Sequence, residues 1–349
     1  MRSRSLLPGF LLLSSSAAQL REIFQAPNGV FLENLAVRPN GDILFNGGGS
    51  PSTFLLSFAD GRETISILPA VPNVTSLFGI AEVNHDLFLV AGGQGNPDGS
   101  TTPGSLVTYA YNFNTSPVTI SLVAPVPSAL LLNGAAALPP RRRDQNATVL
   151  FSDTLSGQIF HVDPTTGQVA SIFRDEAASS VPPPPFVRPG VNGYKYVPRL
   201  KRLFFANSGS ILGVTSDPEF GSVRLEIEVP RRGGGGLPRV TTGGEAVEIL
   251  APGLAVDDFA VRTWRRRRRE GRETVVAAAN SRNQLVEIGR SGVRVLVGNE
   301  TDADFVSPSA VAFGRRREDR NKVYVTALGD FVSGGRLWEV VMPGPEGEE

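Results

Sequence analysis

No cysteine occurs among the chain's 349 residues. Disulfide staples, zinc–thiolate centres and cysteine nucleophiles are therefore excluded. Histidine is almost missing: His85 and His161 are the only two. His85 falls in the turn of "EVNHDLF", and His161 alternates with apolar residues in "GQIFHVDPTTG". Neither opens a repeat, which argues against a serine triad. Lysine is scarce too, with Lys195, Lys201 and Lys322 the whole set. Formal net charge is zero, so no global field draws nucleic acid or a membrane surface. No stretch is apolar for long enough to span a bilayer. No amphipathic helix longer than two turns is visible, which excludes a helical or α/β body.

What the chain does have is glycine and proline, 38 and 27 residues, spread between short apolar runs. That is the composition of many short strands joined by turns. The runs form a loose repeat of about 50 residues: a polar opening, an apolar strand, a tight turn, a second apolar strand and a polar tip. The copies read "ENLAVRPNGDILFNGG", "FGIAEVNHDLFLVAGG", "NGAAALPP…NATVLFSDT", "NGYKYVPRLKRLFFANS", "DDFAVRTW…ETVVAAANS" and "PSAVAFGR…NKVYVTALG". Such units bury their faces only by stacking on neighbours. Six copies predict an all-β fold, a six-bladed β-propeller forming one closed domain over residues 20–343. "REIF", with Ile23 and Phe24, is expected to pair with "GGRLWEVVM" (Gly334 to Met342) and close the ring. The tail 344–349 is polar.

Residues 1–18 read as a signal peptide: Arg2 and Arg4, a short apolar core from Leu6 to Leu13, then a small-residue site at Ser16 to Ala18. The expected location is the secretory pathway or outside the cell, without a stable membrane anchor. The sequons at Asn73, Asn114, Asn146 and Asn299 fit that route as glycosylation sites. Arginine runs at Arg141 to Arg143, Arg265 to Arg269 and Arg315 to Arg317 recur in strand connections and read as solvated turn tips. The insertions Gly92 to Ser105, Ser179 to Gly190 and Pro230 to Glu245 read as loops.

In an antiparallel blade, the start of the first strand and the end of the second lie at one end of the ring. Glu33, Asn133, Asn192 and Asp258 are thus expected around one channel mouth, with Asn46, Asp153, Asn207, Asn280 and Thr326 as a second tier. Taken one at a time, such Asn and Asp residues are ordinary turn fillers. Together, Glu33, Asn133, Asn192 and Asp258 form an all-oxygen set suited to Ca²⁺ or Mg²⁺. Phe31, Phe78, Tyr194, Phe259 and Phe305 are expected as apolar walls, and Lys195 as a group beside the axis able to polarise a carbonyl. Core packing is the competing reading of each aromatic.

On these phrases the chain resembles the senescence-marker-protein-30/gluconolactonase propellers. Glu33 in "LENLAV", Asn133 in "LLNGAAAL", Asn192 in "GVNGYKY" and Asp258 in "VDDFAV" match the positions that hold a divalent cation in that family, with Phe259 replacing a glycine. A closer resemblance is to a fungal branch carrying phrases like "LFFANS", "DDFAV" and "SPSAVAFG…VYVT". That branch includes hetero-Diels–Alderases of natural-product pathways. The resemblance implies a pericyclase that joins a quinone methide to an alkene, with no required cofactor. Asn133, Asn192, Lys195 and Asp258 would be its catalytic groups. Phe31, Phe78, Asp153, Tyr194, Asn207, Phe259, Asn280 and Phe305 would contact substrate. The alternatives are a divalent-metal-dependent lactonase or ester hydrolase, with Asp258 or Asp153 as base, and a non-catalytic secreted binding propeller. The expected partner is a small molecule, not nucleic acid, and the expected state a monomer.

Overall fold

The computed structural model describes residues 18–140, 145–174, 190–199, 202–207, 223–228, 239–241, 248–249, 254–266, 269–289 and 292–343. The expected signal peptide up to residue 17, the tail, the run Arg141 to Arg143 and most of the insertions 179–190 and 230–245 lie outside these residues. Only two short 3₁₀ turns, Ala59–Gly61 and Asn280–Arg282, interrupt the strands among the described residues.

The chain folds as an all-β propeller. Among the described residues its strands form six antiparallel sheets, five of four strands and one of five. The inner strands are Phe31–Val37, Ser76–Asn84, Leu132–Leu138, Val191–Val197, Phe259–Arg266 and Pro308–Phe313. The sheets are numbered one to six in that order. The sixth takes its outer strand from the other end of the chain: Gln19–Gln25 pairs antiparallel with Arg336–Val341, Phe24 opposite Leu337. The expected closure therefore forms.

Strand alternation sends successive side chains to opposite faces of each sheet. Leu35 joins a cluster with Ala310, Tyr324 and Leu337 of sheet six. Ala36, the next residue, packs with Ile80, Phe88 and Tyr109 of sheet two. The same pattern fills every remaining gap between consecutive sheets: two with three, three with four, four with five and five with six. Phe45, Phe88, Phe151, Phe160 and Phe204 are fully buried in these clusters. Each contributes about 2 kcal/mol on burial. With no disulfide possible, these radial cores and one exchanged strand hold the ring.

Candidate functional site

Five of the six inner strands share an irregularity at the channel mouth. The ladder gains one extra residue between Leu32 and Leu35, Leu77 and Ile80, Leu132 and Ala135, Val191 and Tyr194, and Pro308 and Ala310. A bulge of this kind re-aims a side chain out of the ladder. Counting back two residues from the rungs Leu35–Phe45, Ile80–Val90, Ala135–Phe151, Tyr194–Phe205, Phe259–Ala277 and Val311–Val325 gives the equivalent positions. They are Glu33, Phe78, Asn133, Asn192, Asp257 and Ser309.

This ring brings together three of the four expected ligands. Asp258 stands one position further along, in register with Asn34, Gly79, Gly134 and Gly193, and Asp257 occupies its place. Close packing explains the glycines. A Cβ on Gly134 would sit 2.0 Å from the Asn192 carbonyl, and one on Gly193 would sit 2.2 Å from Asp258 Oδ1.

The side chains of the ring are buried and cross-linked. Asn34 Nδ2 donates to Asn133 Oδ1 at 2.7 Å, past the bare Gly79 of the intervening sheet. Asn133 in turn hydrogen-bonds the Glu33 carboxyl. Asp257 accepts from Asn192 Nδ2 at 2.5 Å and from Asn280 Nδ2 at 3.1 Å. The amide oxygens of Asn192 and Asn280 are buried with no hydrogen-bond partner. Two orphaned acceptors beside a carboxyl mark a place where a donor or a cation belongs, because an unmet buried acceptor costs about 1–3 kcal/mol.

Three carboxyls share this space. Burial pushes Glu33 from 4.5 up to about 7; the Asn133 bond opposes the rise and the nearby Asp258 charge adds to it. Burial likewise raises Asp257 well above the usual carboxylate range, and Glu33 and Asp258 raise it further. Asp258 is also raised by burial, against the pull of Lys195. Lys195 Nζ donates to both Asp258 oxygens, at 2.9 and 2.6 Å. The equivalent position on the five other inner strands is Ala36, Ala81, Ala136, Ala260 or Ala312, so the lysine is a local addition to an otherwise small-residue wall. Lys195→Met should cost about 2 kcal/mol, below the figure for a fully buried pair because the lysine side chain is 30% exposed. Thermal melts should show a larger loss at pH 8 than at pH 5, since Asp258 sheds its unpaired charge only by taking up a proton.

Other expected site residues serve the scaffold. Asp153 is fully buried. It accepts from the Leu130 and Leu131 amides and from Ser156 Oγ, which ties down the connection into sheet three. Asn46 links sheets one and two by donating to the Phe78 carbonyl and accepting from Thr53. Thr326 donates to the Glu33 carbonyl, and Ser309 donates to the Leu32 carbonyl at 2.8 Å.

The aromatic expectation is corrected at four positions. Phe78, Tyr194 and Phe259 are buried between sheets, because their strand positions turn them into the radial cores rather than the mouth, and Phe305, in the bend before the sixth inner strand, is buried edge-on against Trp338. Phe31 alone stays partly exposed, edge-on to Phe331. Asn207 ends its strand opposite Val191, and its side chain lies outside the described residues. Arg315 is more than a turn tip: it donates to the Val37 carbonyl of sheet one and pairs with Glu82 of sheet two. Asn34, Asp257 and Ser309 are the residues the sequence reading missed.

No protein-family model matches the chain. Two curated relatives carry names that assign them, provisionally, as hetero-Diels–Alderases. One, from Phoma sp, is 26% identical over 332 residues, covering 88% of this chain and 86% of the relative. The other, from Sarocladium schorii, is 25% identical over 334 residues, covering 88% and 77%. Among solved structures, a calcium-binding regucalcin from Agrobacterium tumefaciens superposes with a TM-score of 0.56 at 13% identity, covering 95% of each chain. The resemblance read from the sequence therefore holds, to the hetero-Diels–Alderase relatives in sequence and to the regucalcin propellers in fold.

Proposed function

We propose that this relative of proteins named as hetero-Diels–Alderases is itself a pericyclase, a six-bladed propeller counting each sheet as one blade. It would join a quinone-methide heterodiene to an alkene in a secreted natural-product pathway. The carrying observation is the buried pair Glu33 and Asp257, both held toward the protonated state. A neutral carboxyl donates a hydrogen bond where a carboxylate cannot. Aimed at the quinone-methide oxygen, it withdraws electron density from the heterodiene and favours attack by the alkene. One C–C and one C–O bond form together, no leaving group departs, and no redox partner is needed. Asn133 and Asn192 hold the donors in place, which is the positioning such a reaction requires. The relatives' names support the reaction class. The exposed sequons Asn73, Asn114 and Asn299 suit a secretory route.

The test supplies a photochemically released ortho-quinone methide and a vinyl ether to the purified protein. Faster dihydropyran formation than in buffer, with one enantiomer in excess, is the expected result. A racemic product at the background rate would sink the reading.

A second reading has its own observation. The orphaned oxygens of Asn192 and Asn280, with Glu33 and Asp257, fit the donor set of a hard cation. Bound there, a divalent ion would polarise a lactone carbonyl as a Lewis acid. Among the described residues, however, no three acidic or imidazole side chains converge on one metal position, so the amides would have to complete the shell. Ca²⁺ must compete with protons for these carboxyls. If it binds, added Ca²⁺ should raise the melting temperature more at pH 8 than at pH 5, and EDTA should reverse the gain. An unchanged melt at both pH values removes the hydrolase reading.

A further inference from the structure

We propose that Phe331 and Val332, on the rim loop of sheet six, form with Phe31 an apolar shelf that seats the hydrocarbon part of the substrate, the alkene. The inference rests on the pericyclase reading for the name of the occupant, and on independent geometry for the place.

The loop Leu328–Gly335 joins the second and third strands of sheet six, at the same end of the ring as Glu33. It is firmly held. Its Gly329 amide donates to the Val306 carbonyl and its Gly335 amide to the Val30 carbonyl. The Gly29 amide and the Gln25 side chain donate to the carbonyls of Val332 and Ser333. Asp330 caps the turn by accepting from the amides of Val332 and Ser333. A loop tied down this thoroughly would be expected to turn apolar side chains inward. Instead Phe331 is 48% exposed and Val332 69%. Phe331 also sits at φ 61, in the left-handed region that bulky residues avoid. Backbone strain retained to present an exposed aromatic is a signature of a contact surface.

The shelf is continuous with the polar ring. The Phe331 ring lies 5.6 Å from that of Phe31. Phe31 begins the strand that carries Glu33, two residues or about 7 Å away. The Phe31 ring lies across its partner strand, in the space a Cβ on Gly48 would take, so the bare glycine seats it. A donor pair and an apolar wall at that separation match a heterodiene carbonyl and an alkene held in one pose.

The experiment is photolabelling with an allyl ether that carries an aryl diazirine, read by peptide mass spectrometry. Wild-type protein should be labelled at Phe31 and within 329–335. Phe331→Gly should lose about tenfold of that labelling, and in the coupled assay raise KM for the alkene about tenfold with kcat little changed. Glycine accepts φ 61 without strain, so the variant should melt within a few degrees of wild type. Phe331→Leu should keep most of the labelling. Label confined to the lateral cleft lined by Phe24, Phe54, Ile65 and Ile67 would overturn the proposal, as would equal rim labelling of Phe331→Gly. Rim labelling in a wild-type protein that forms no dihydropyran would reject the pericyclase and leave the shelf standing.

Discussion

Asp257→Ala, which leaves no donor at this position, should cut the cyclisation rate about a hundredfold while the protein still folds and melts in a single transition. The magnitude is that of removing one preorganised donor from a charge-stabilising site. The fold should survive because alanine removes a carboxyl whose burial beside Glu33 and Asp258 is itself unfavourable, at the cost of leaving the Asn192 and Asn280 amides without their acceptor. Asp258→Asn is the contrasting variant. It strands the Lys195 ammonium and should cost stability first. Stopped-flow absorbance of the quinone methide checks both. Equal rate losses in the two variants would mean that the proton is not held where Asp257 stands.

The same site predicts a pH dependence of opposite sign to the common carboxylate case. Glu33 moves from 4.5 to about 7 on folding. Between those values the folded protein holds a proton that the unfolded chain has lost. Stability therefore falls as pH rises through that window, by about 3 kcal/mol in all, and is flat beyond it. Cyclase activity should fall across the upper end of the same window, and Glu33→Gln should flatten both profiles.

The second large effect is steric. Gly134→Ala should destabilise the protein by about 3 kcal/mol or more and lower the melting temperature by at least about 5 °C. The new methyl would stand 2.0 Å from the Asn192 carbonyl and 2.9 Å from Ser152 Oγ. The first is backbone of the neighbouring inner strand, and neither neighbour has an easy retreat: Ser152 Oγ already donates to the Asn192 carbonyl and accepts from the Gly134 amide. Sheets three and four would have to part at the axis. Gly289→Ala is the control, a strand glycine with nothing within 4 Å of the added carbon. Calorimetry should find the control neutral. A Gly134→Ala protein that melts like the control would mean that the inner strands are not packed backbone to backbone.

The repeat and its closure were legible because propeller packing writes itself as a period: each apolar strand must face a neighbour on both sides. Three of the ring residues were legible for the same reason. Asp257 was not, because family likeness favoured the second of two adjacent aspartates. The signal was nonetheless present. "ENLAV", "NGAAAL", "NGYKYV" and "DDFAV" align on their first letters, and the first letters are Glu33, Asn133, Asn192 and Asp257. The bulge that makes those letters equivalent is a ladder property, and no residue preference announces it. The aromatics were misplaced because hydrophobicity shows that a side chain is buried, whereas the face it uses depends on strand register. Phe331 escaped notice for another reason: its φ and its exposure are visible only in three dimensions.

The exchanged outer strand has a consequence for how the protein is made. Gln19–Gln25 is among the first described segments to leave the ribosome, and its partner Arg336–Val341 is among the last. Five sheets can assemble in order as they emerge, each packing on the one before. The radial core between sheets six and one cannot form until nearly the whole chain is out. The nascent protein is thus an open arc with two unpaired faces, and closure is a single late event that spans more than 300 residues of sequence. Long-range contacts of this kind fold slowly. The arc, rather than the finished ring, is the species most exposed to aggregation, and chaperones or low temperature during expression should act on that interval.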